Sequence, residues 1–134
     1  MKKDIPFLPV EGVCIAITRQ LDEINNPIWE VHLINNNDFN LQNILVSSKG
    51  YGTKDGEEQK TSVLRHHIPE LGPKSTALIE PIDPAVFHLY NEYWLSYFID
   101  HQIFDKKFIF VPDTIIEENL VYIPILDQEG ILHR

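Results

Sequence analysis

The sequence predicts an all-β fold, an antiparallel sandwich of about seven or eight strands with one or two short helical turns. Short apolar runs recur at close spacing, separated by clusters of Asn, Asp, Gly, Pro and Ser. No stretch keeps a helical 3.6-residue period, and there is no internal repeat. Residues 90–112, YNEYWLSYFIDHQIFDKKFIFVP, read as two apolar strands around a polar turn and carry more aromatics than any other segment.

In chain order, residues 1–9 form a loose lead-in. Segment 12–18 (GVCIAIT) is a compact strand with Val13, Ile15 and Ile17 on one parity. Segment 28–35 alternates: Trp29, Val31 and Leu33 share a face opposite Glu30 and His32, which defines a half-buried strand. Asn35, Asn36, Asn37 and Asp38 make a loop, because such side chains bond local backbone and tolerate left-handed φ. Strand 41–48 (LQNILVSS) leads into KGYGTKDGEEQK, which glycines and charges mark as an exposed, mobile loop. Segments 61–68 and 75–82 are strands around a turn at 69–74, and Pro81 confines the second to an edge.

Asp83 followed by Pro84 is an N-cap with proline at the first helical position, so a helical turn runs to about Leu89. In the hairpin, Tyr93, Leu95, Tyr97 and Ile99 share one face, while Trp94, Ser96 and Phe98 share the other. Both faces are largely apolar, which predicts an interior strand covered on both sides. Asp100, His101 and Gln102 turn the chain, and Lys106 and Lys107 bring the return strand to solvent. Thr114 and Glu117 have capping-box spacing for a second short turn. Segment 120–126 (LVYIPIL) is the last strand, and DQEGILHR is a tail. This order predicts a Greek-key, immunoglobulin-like sandwich, with a small closed barrel as the alternative; Tyr90 is a candidate corner tyrosine.

At 134 residues the chain is expected to be a single domain over 1–134, burying roughly two-thirds of its unfolded surface. Hydrophobic content of 43% excludes general disorder. Twenty acidic against eleven basic residues give a net charge of −9. That balance disfavours nucleic acid and anionic membranes, which need basic surface. Cys14 is the single cysteine, so no intramolecular disulfide forms. Asp4, Pro6, Pro9 and Glu11 interrupt the opening too often for a signal peptide, and no run approaches the ~18 apolar residues of a membrane span. A cytoplasmic location is expected.

Catalytic patterns are absent. His66 and His67 are adjacent on a strand, so they point to opposite faces and cannot ligate one ion together. Recruiting His32, His88 or His101 would need a coincidence of folding, and neither metal nor cofactor is expected. Lys49, Gly50, Tyr51 and Gly52 lack the phosphate-loop order G-x-x-x-x-G-K-[ST]; they are candidates for an interaction loop, with Tyr51 as the contact. Cys14 lies in an apolar strand as an inert thiol, and Ser47-Ser48 lacks a nucleophile elbow. Asp100 and His101 suit a turn.

The segments ILVSSKGYG (44–52), KTSVLRHHI (60–68), NEYWLSYFID (91–100) and DKKFIFVPDTI (105–115) together resemble a small bacterial family of about this length. Some of its members carry the label of a phenylalanyl-tRNA synthetase alpha subunit. The resemblance covers most of the chain and implies one intact domain. It brings no catalytic residue: a class II synthetase core is far larger and arginine-dependent, whereas Arg19, Arg65 and Arg134 are the only arginines here. The expected function is a noncatalytic binding or assembly module with a protein partner, possible as a homodimer. The alternative is a small-ligand-binding protein or enzyme whose site assembles only in three dimensions. A deep pocket with converging polar groups would favour the alternative; flat sheet faces and exposed edges favour the first.

Overall fold

A computed structural model describes residues 7–134, so residues 1–6 of the expected lead-in lie outside the described residues. β1 (Val13–Leu21) and β2 (Pro27–Asn35) are an antiparallel pair in which Ile15 opposes Leu33. β3 (Leu41–Lys54), β4 (Glu57–Lys60), β5 (Leu64–Leu71) and β6 (Ser75–Pro81) follow. A 3₁₀ turn, Pro84–Val86, precedes β7 (Tyr90–Ile99) and β8 (Gln102–Phe110). A second 3₁₀ turn, Glu117–Asn119, precedes β9 (Val121–Ile123) and β10 (Gln128–His133).

These strands form two antiparallel sheets. One has the order β6-β2-β1-β10-β9; the other runs β4-β3-β7-β8, with β5 also paired to β3, beyond β4 on the same strand. The arrangement is the all-β, sandwich-like fold that the strand pattern predicts, and it is compatible with a Greek-key path. Among the described residues no helix is long and apolar enough to cross a membrane.

Alternation decides what lies between the sheets. Val13, Ile15, Ile17, Val31 and Leu33 from the first sheet meet Ile44, Val46, Tyr93, Leu95, Tyr97, Phe108 and Phe110 from the second. Of the residues expected in the core, Val31, Leu33, Leu95, Tyr97 and Phe110 are buried, and Trp29 is half-buried with its ring edge-on to Phe87. Asn35 ties the loop that follows it: its Nδ2 donates to Phe39 O (2.9 Å) and Gly72 O (2.9 Å), while its Oδ1 accepts from Asn37 N (3.0 Å).

Several expectations need correction. Residues 49–60 are not an open loop. β3 continues to Lys54 and turns at Asp55 and Gly56, both at positive φ (52° and 80°), into β4. Asp-Gly is the dipeptide that a two-residue hairpin demands, and it outweighs the charge density around it. The C-terminal tail is also a strand. β10 lies inside the first sheet, between β1 and β9, where Ile17 faces Ile131. A Cβ at Gly130 would come within 2.7 Å of Ile17 O, so this close pairing requires glycine.

β7 is an interior strand, yet only its inner face is covered; Trp94, on the outer face, is 46% exposed. Tyr90 is not a corner tyrosine: its exposed ring stacks on Tyr51, 5.5 Å between centroids. Asp83 caps the first 3₁₀ turn as expected, accepting from Ala85 N at 2.9 Å. Thr114 does not cap the second; its hydroxyl donates to Val111 O at 2.6 Å.

Candidate functional site

The pleat sorts the predicted interaction residues. Lys49 and Tyr51 lie on the outer parity of β3, whereas Gly50 is buried and lines an inner cavity. Opposite Lys49, β7 brings Glu92, and opposite Tyr51 it brings Tyr90. Lys49 Nζ sits 3.7 Å from Glu92 Oε2 and 5.7 Å from the Tyr51 ring centroid. The Tyr51 hydroxyl donates to Glu92 Oε1 at 3.4 Å. Loss of hydration, reinforced by the Glu92 carboxylate, pushes the Tyr51 phenol up, so it stays a donor. These charges are satisfied by one another.

The same outer face continues into an apolar groove of about 380 Å³ bounded by Leu45, Trp94, Ile103 and Phe7. Ser47, Ser96 and Asp105 supply its polar margin. Trp94 opposes Ser47 on one side and Lys107 on the other. Its indole Nε1 donates to the Asp105 carboxylate, and the Lys107 ammonium lies 4.5 Å from its ring centroid. The ring is therefore held in one orientation, with apolar surface offered to solvent. An aromatic anchored in this way gives a partner large contact area with little rotamer entropy left to lose.

A second cluster lies between the sheets. β6 pairs with β2 through a bulge: Val31 faces Glu80 while the next residue, His32, faces Leu78. The extra residue breaks alternation and turns Glu80 inward behind Ile79. Its carboxylate is 11% exposed and gathers three donors from the opposite sheet. Ser48 Oγ donates to Oε1 at 2.8 Å, His66 Nε2 meets Oε1 at 2.6 Å, and the Tyr93 hydroxyl donates to Oε2 at 3.4 Å. Burial, reinforced by Glu80, pushes the Tyr93 phenol far up. A catalytic triad needs a hydroxyl bonded to an imidazole; here both bond the carboxylate, so Ser48 is not activated as a nucleophile. The adjoining cavity is about 200 Å³, below the usual range for a drug-sized ligand. Glu80 fastens the two sheets together.

Neither His66 nor His67 flanks a turn. Both lie on β5, His66 half-buried toward Glu80 and His67 exposed on the other face, as adjacent strand residues must be. Cys14 is a buried free thiol whose pKa burial raises, the unreactive state. Among the described residues no group of His, Cys, Asp and Glu is arranged to hold a metal ion.

Sequence reading missed Trp94 as a surface residue, because the apolar outer parity of β7 looked like a second buried face. It missed Glu80 because a bulge leaves no mark in local alternation. Comparison with protein-family models, curated proteins and solved structures gives no match.

Proposed function

We propose that the protein is a noncatalytic binding or assembly module that docks a protein partner on the outer face of the β3-β7-β8 sheet. The observation that carries this reading is the anchored, exposed Trp94 at the centre of an apolar groove with a charged rim. Interface hot spots have this composition, an aromatic residue surrounded by polar groups that exclude water. Lys49 and Tyr51 extend the same face. The polar clusters give the contrary reading little support, since their groups bond one another around a small cavity.

The protein further associates with a second copy through the C-terminal hairpin, and its unpaired thiol accords with a cytoplasmic, reducing location. Affinity capture from the cells that make the protein, with wild type and Trp94→Ala in parallel, tests the docking face. The expected result is one or more proteins retained by wild type and lost by the variant, with both baits equally folded by circular dichroism. Identical retention by the two baits removes the Trp94 face from the proposal.

A further inference from the structure

Charge is ordered on the outer face of the second sheet. Opposed residues of an antiparallel pair share a face, so the register sets Arg65, Ser47, Trp94 and Lys107 side by side in one row across β5, β3, β7 and β8. Arg65 and Lys107 are exposed, and neither has a carboxylate partner among the described residues. Lys107 lies over the Trp94 ring, which leaves its charge without an anion.

The two neighbouring rows bring Glu92 and Asp105 to this face, and both carboxylates are taken. Glu92 is 6% exposed, holds Lys49 at 3.7 Å and accepts from the Tyr51 hydroxyl. Asp105 is half-buried and accepts from Trp94 Nε1. The unmatched charge beside the groove is therefore positive, in a chain of net charge −9. Guarding a sheet edge accounts for a lysine on β8 or an arginine on β5 taken singly. It calls for no exposed indole between them, fixed in place beside Leu45 and Ile103.

The spacing describes an occupant. Strands lie about 4.8 Å apart, so the three steps from β5 to β8 put Arg65 and Lys107 roughly 14 Å apart. Alternate residues of an extended chain share a side, and positions i and i+4 also span about 14 Å. The residue at i+2 then falls over the seam of β3 and β7, against the indole. We propose that the partner at this face is an acidic protein segment crossing the strands in extended form. It sets one bulky apolar side chain against Trp94 and a carboxylate two residues to either side, one on Arg65 and one on Lys107. This deepens, and rests on, the docking face proposed above. A polynucleotide fits less well: it needs a basic track along its backbone, and the row supplies two cations on an acidic molecule.

Capped heptapeptides test it, titrated by NMR against the full chain at neutral pH and low salt. They are Gly-Glu-Ser-Phe-Ser-Glu-Gly, the forms with Gln or Lys in place of both Glu, and the form with Ala in place of Phe. A short oligothymidylate is the further probe. The expected result is saturable binding of the Glu peptide with shifts at Ser47, Trp94 and Lys107. The Gln, Lys and Ala forms should each bind several-fold more weakly, and added salt should narrow the difference between Glu and Gln forms. Arg65→Gln and Lys107→Gln should each weaken the Glu peptide about two- to fivefold, the span of one exposed ion pair, and leave the Gln peptide unchanged. Trp94→Ala should weaken both. Equal affinity for the Glu and Gln peptides, with shifts at Trp94, overturns the acidic partner and leaves the docking face standing. Binding of both that ignores Trp94→Ala overturns the two proposals together. Tighter binding of oligothymidylate than of the Glu peptide, or no saturation by the Glu peptide at millimolar concentration, also overturns this inference, and the docking face is then judged by affinity capture. The comparison of Glu and Gln peptides needs no variant, so it decides even where a substitution fails to fold.

Discussion

His32 shows how burial sets the behaviour of one residue. It lies on the outward parity of β2 but is buried, with Nε2 3.1 Å from the Thr18 hydroxyl and 3.9 Å from Glu30 Oε1. Thr18 spends its single proton on Glu30 O (3.3 Å), so Nε2 is the donor to Thr18 and the neutral ring is the Nε2–H tautomer. Burial lowers the His32 pKa, with Glu30 opposing in part. The unfolded chain therefore takes up this proton at a higher pH than the folded one. The stability that neutral His32 contributes is full above the ordinary value of 6.5 and is lost as pH falls from there to the depressed folded value. Urea midpoints measured from pH 8 down to pH 5 should decline for wild type and decline less for His32→Gln. Parallel declines in the two proteins would show that His32 does not govern this interval. Carboxylate titrations common to both cancel in the comparison.

At the scale of the element, turn chemistry accounts for both the successes and the misses. Asp55 and Gly56 make the β3–β4 hairpin possible, and Gly56 sits at φ 80° with open space where a side chain would go. The cost of Gly56→Ala is thus one of backbone conformation alone, about 1–2 kcal/mol for a non-glycine residue in left-handed geometry. Because β4 pairs only with the end of β3, that cost should appear locally. Amide exchange should quicken at 57–60 in the variant and stay unchanged at the core residues Val46 and Leu95; faster exchange in the core would mean the hairpin is part of the main cooperative unit. The strands with strong alternation, β1, β2, β6, β7 and β8, were legible because one buried parity writes itself into sequence. β4 was not, since its residues Glu57, Glu58 and Lys60 are exposed and only the turn betrays it. β10 was hidden by length and by Gly130, which looks like a breaker and is the contact that lets β10 approach β1. Of the candidate site, Lys49 and Tyr51 were found through composition. Trp94 was not, because parity distinguishes two faces without saying which of them another layer covers.

For the whole molecule, the question is what happens at the four sheet edges. β8 carries Lys106 and Lys107, and β5 contains Pro69, both devices that discourage edge pairing. β6 ends in Pro81. β9 is three residues long and is followed by Pro124, yet Val121 and Tyr122 are 51% and 60% exposed on an unpaired edge. Ile116 and Ile125 add exposed apolar surface in the neighbouring turns. An apolar patch of this kind marks an interface, and a two-fold dimer is the commonest closed arrangement. In the proposed dimer, two β9 edges would meet across such an axis, pair antiparallel and join the first sheets of two copies. Light scattering across a concentration series should then show a mass rising from 15.6 kDa toward twice that value at tens of micromolar. A mass constant at 15.6 kDa across that range would exclude the dimer. Deleting residues 120–134 is an uninformative test, because it removes β10 from the interior of a sheet and with it Ile131 and the His133 ring packed against Phe108 and Phe110. The informative change is Val121→Lys, which charges the edge and leaves β10 in place. It should hold the mass at the monomer value while the urea midpoint stays within experimental error of wild type, and a dimer that survives Val121→Lys would place the interface elsewhere.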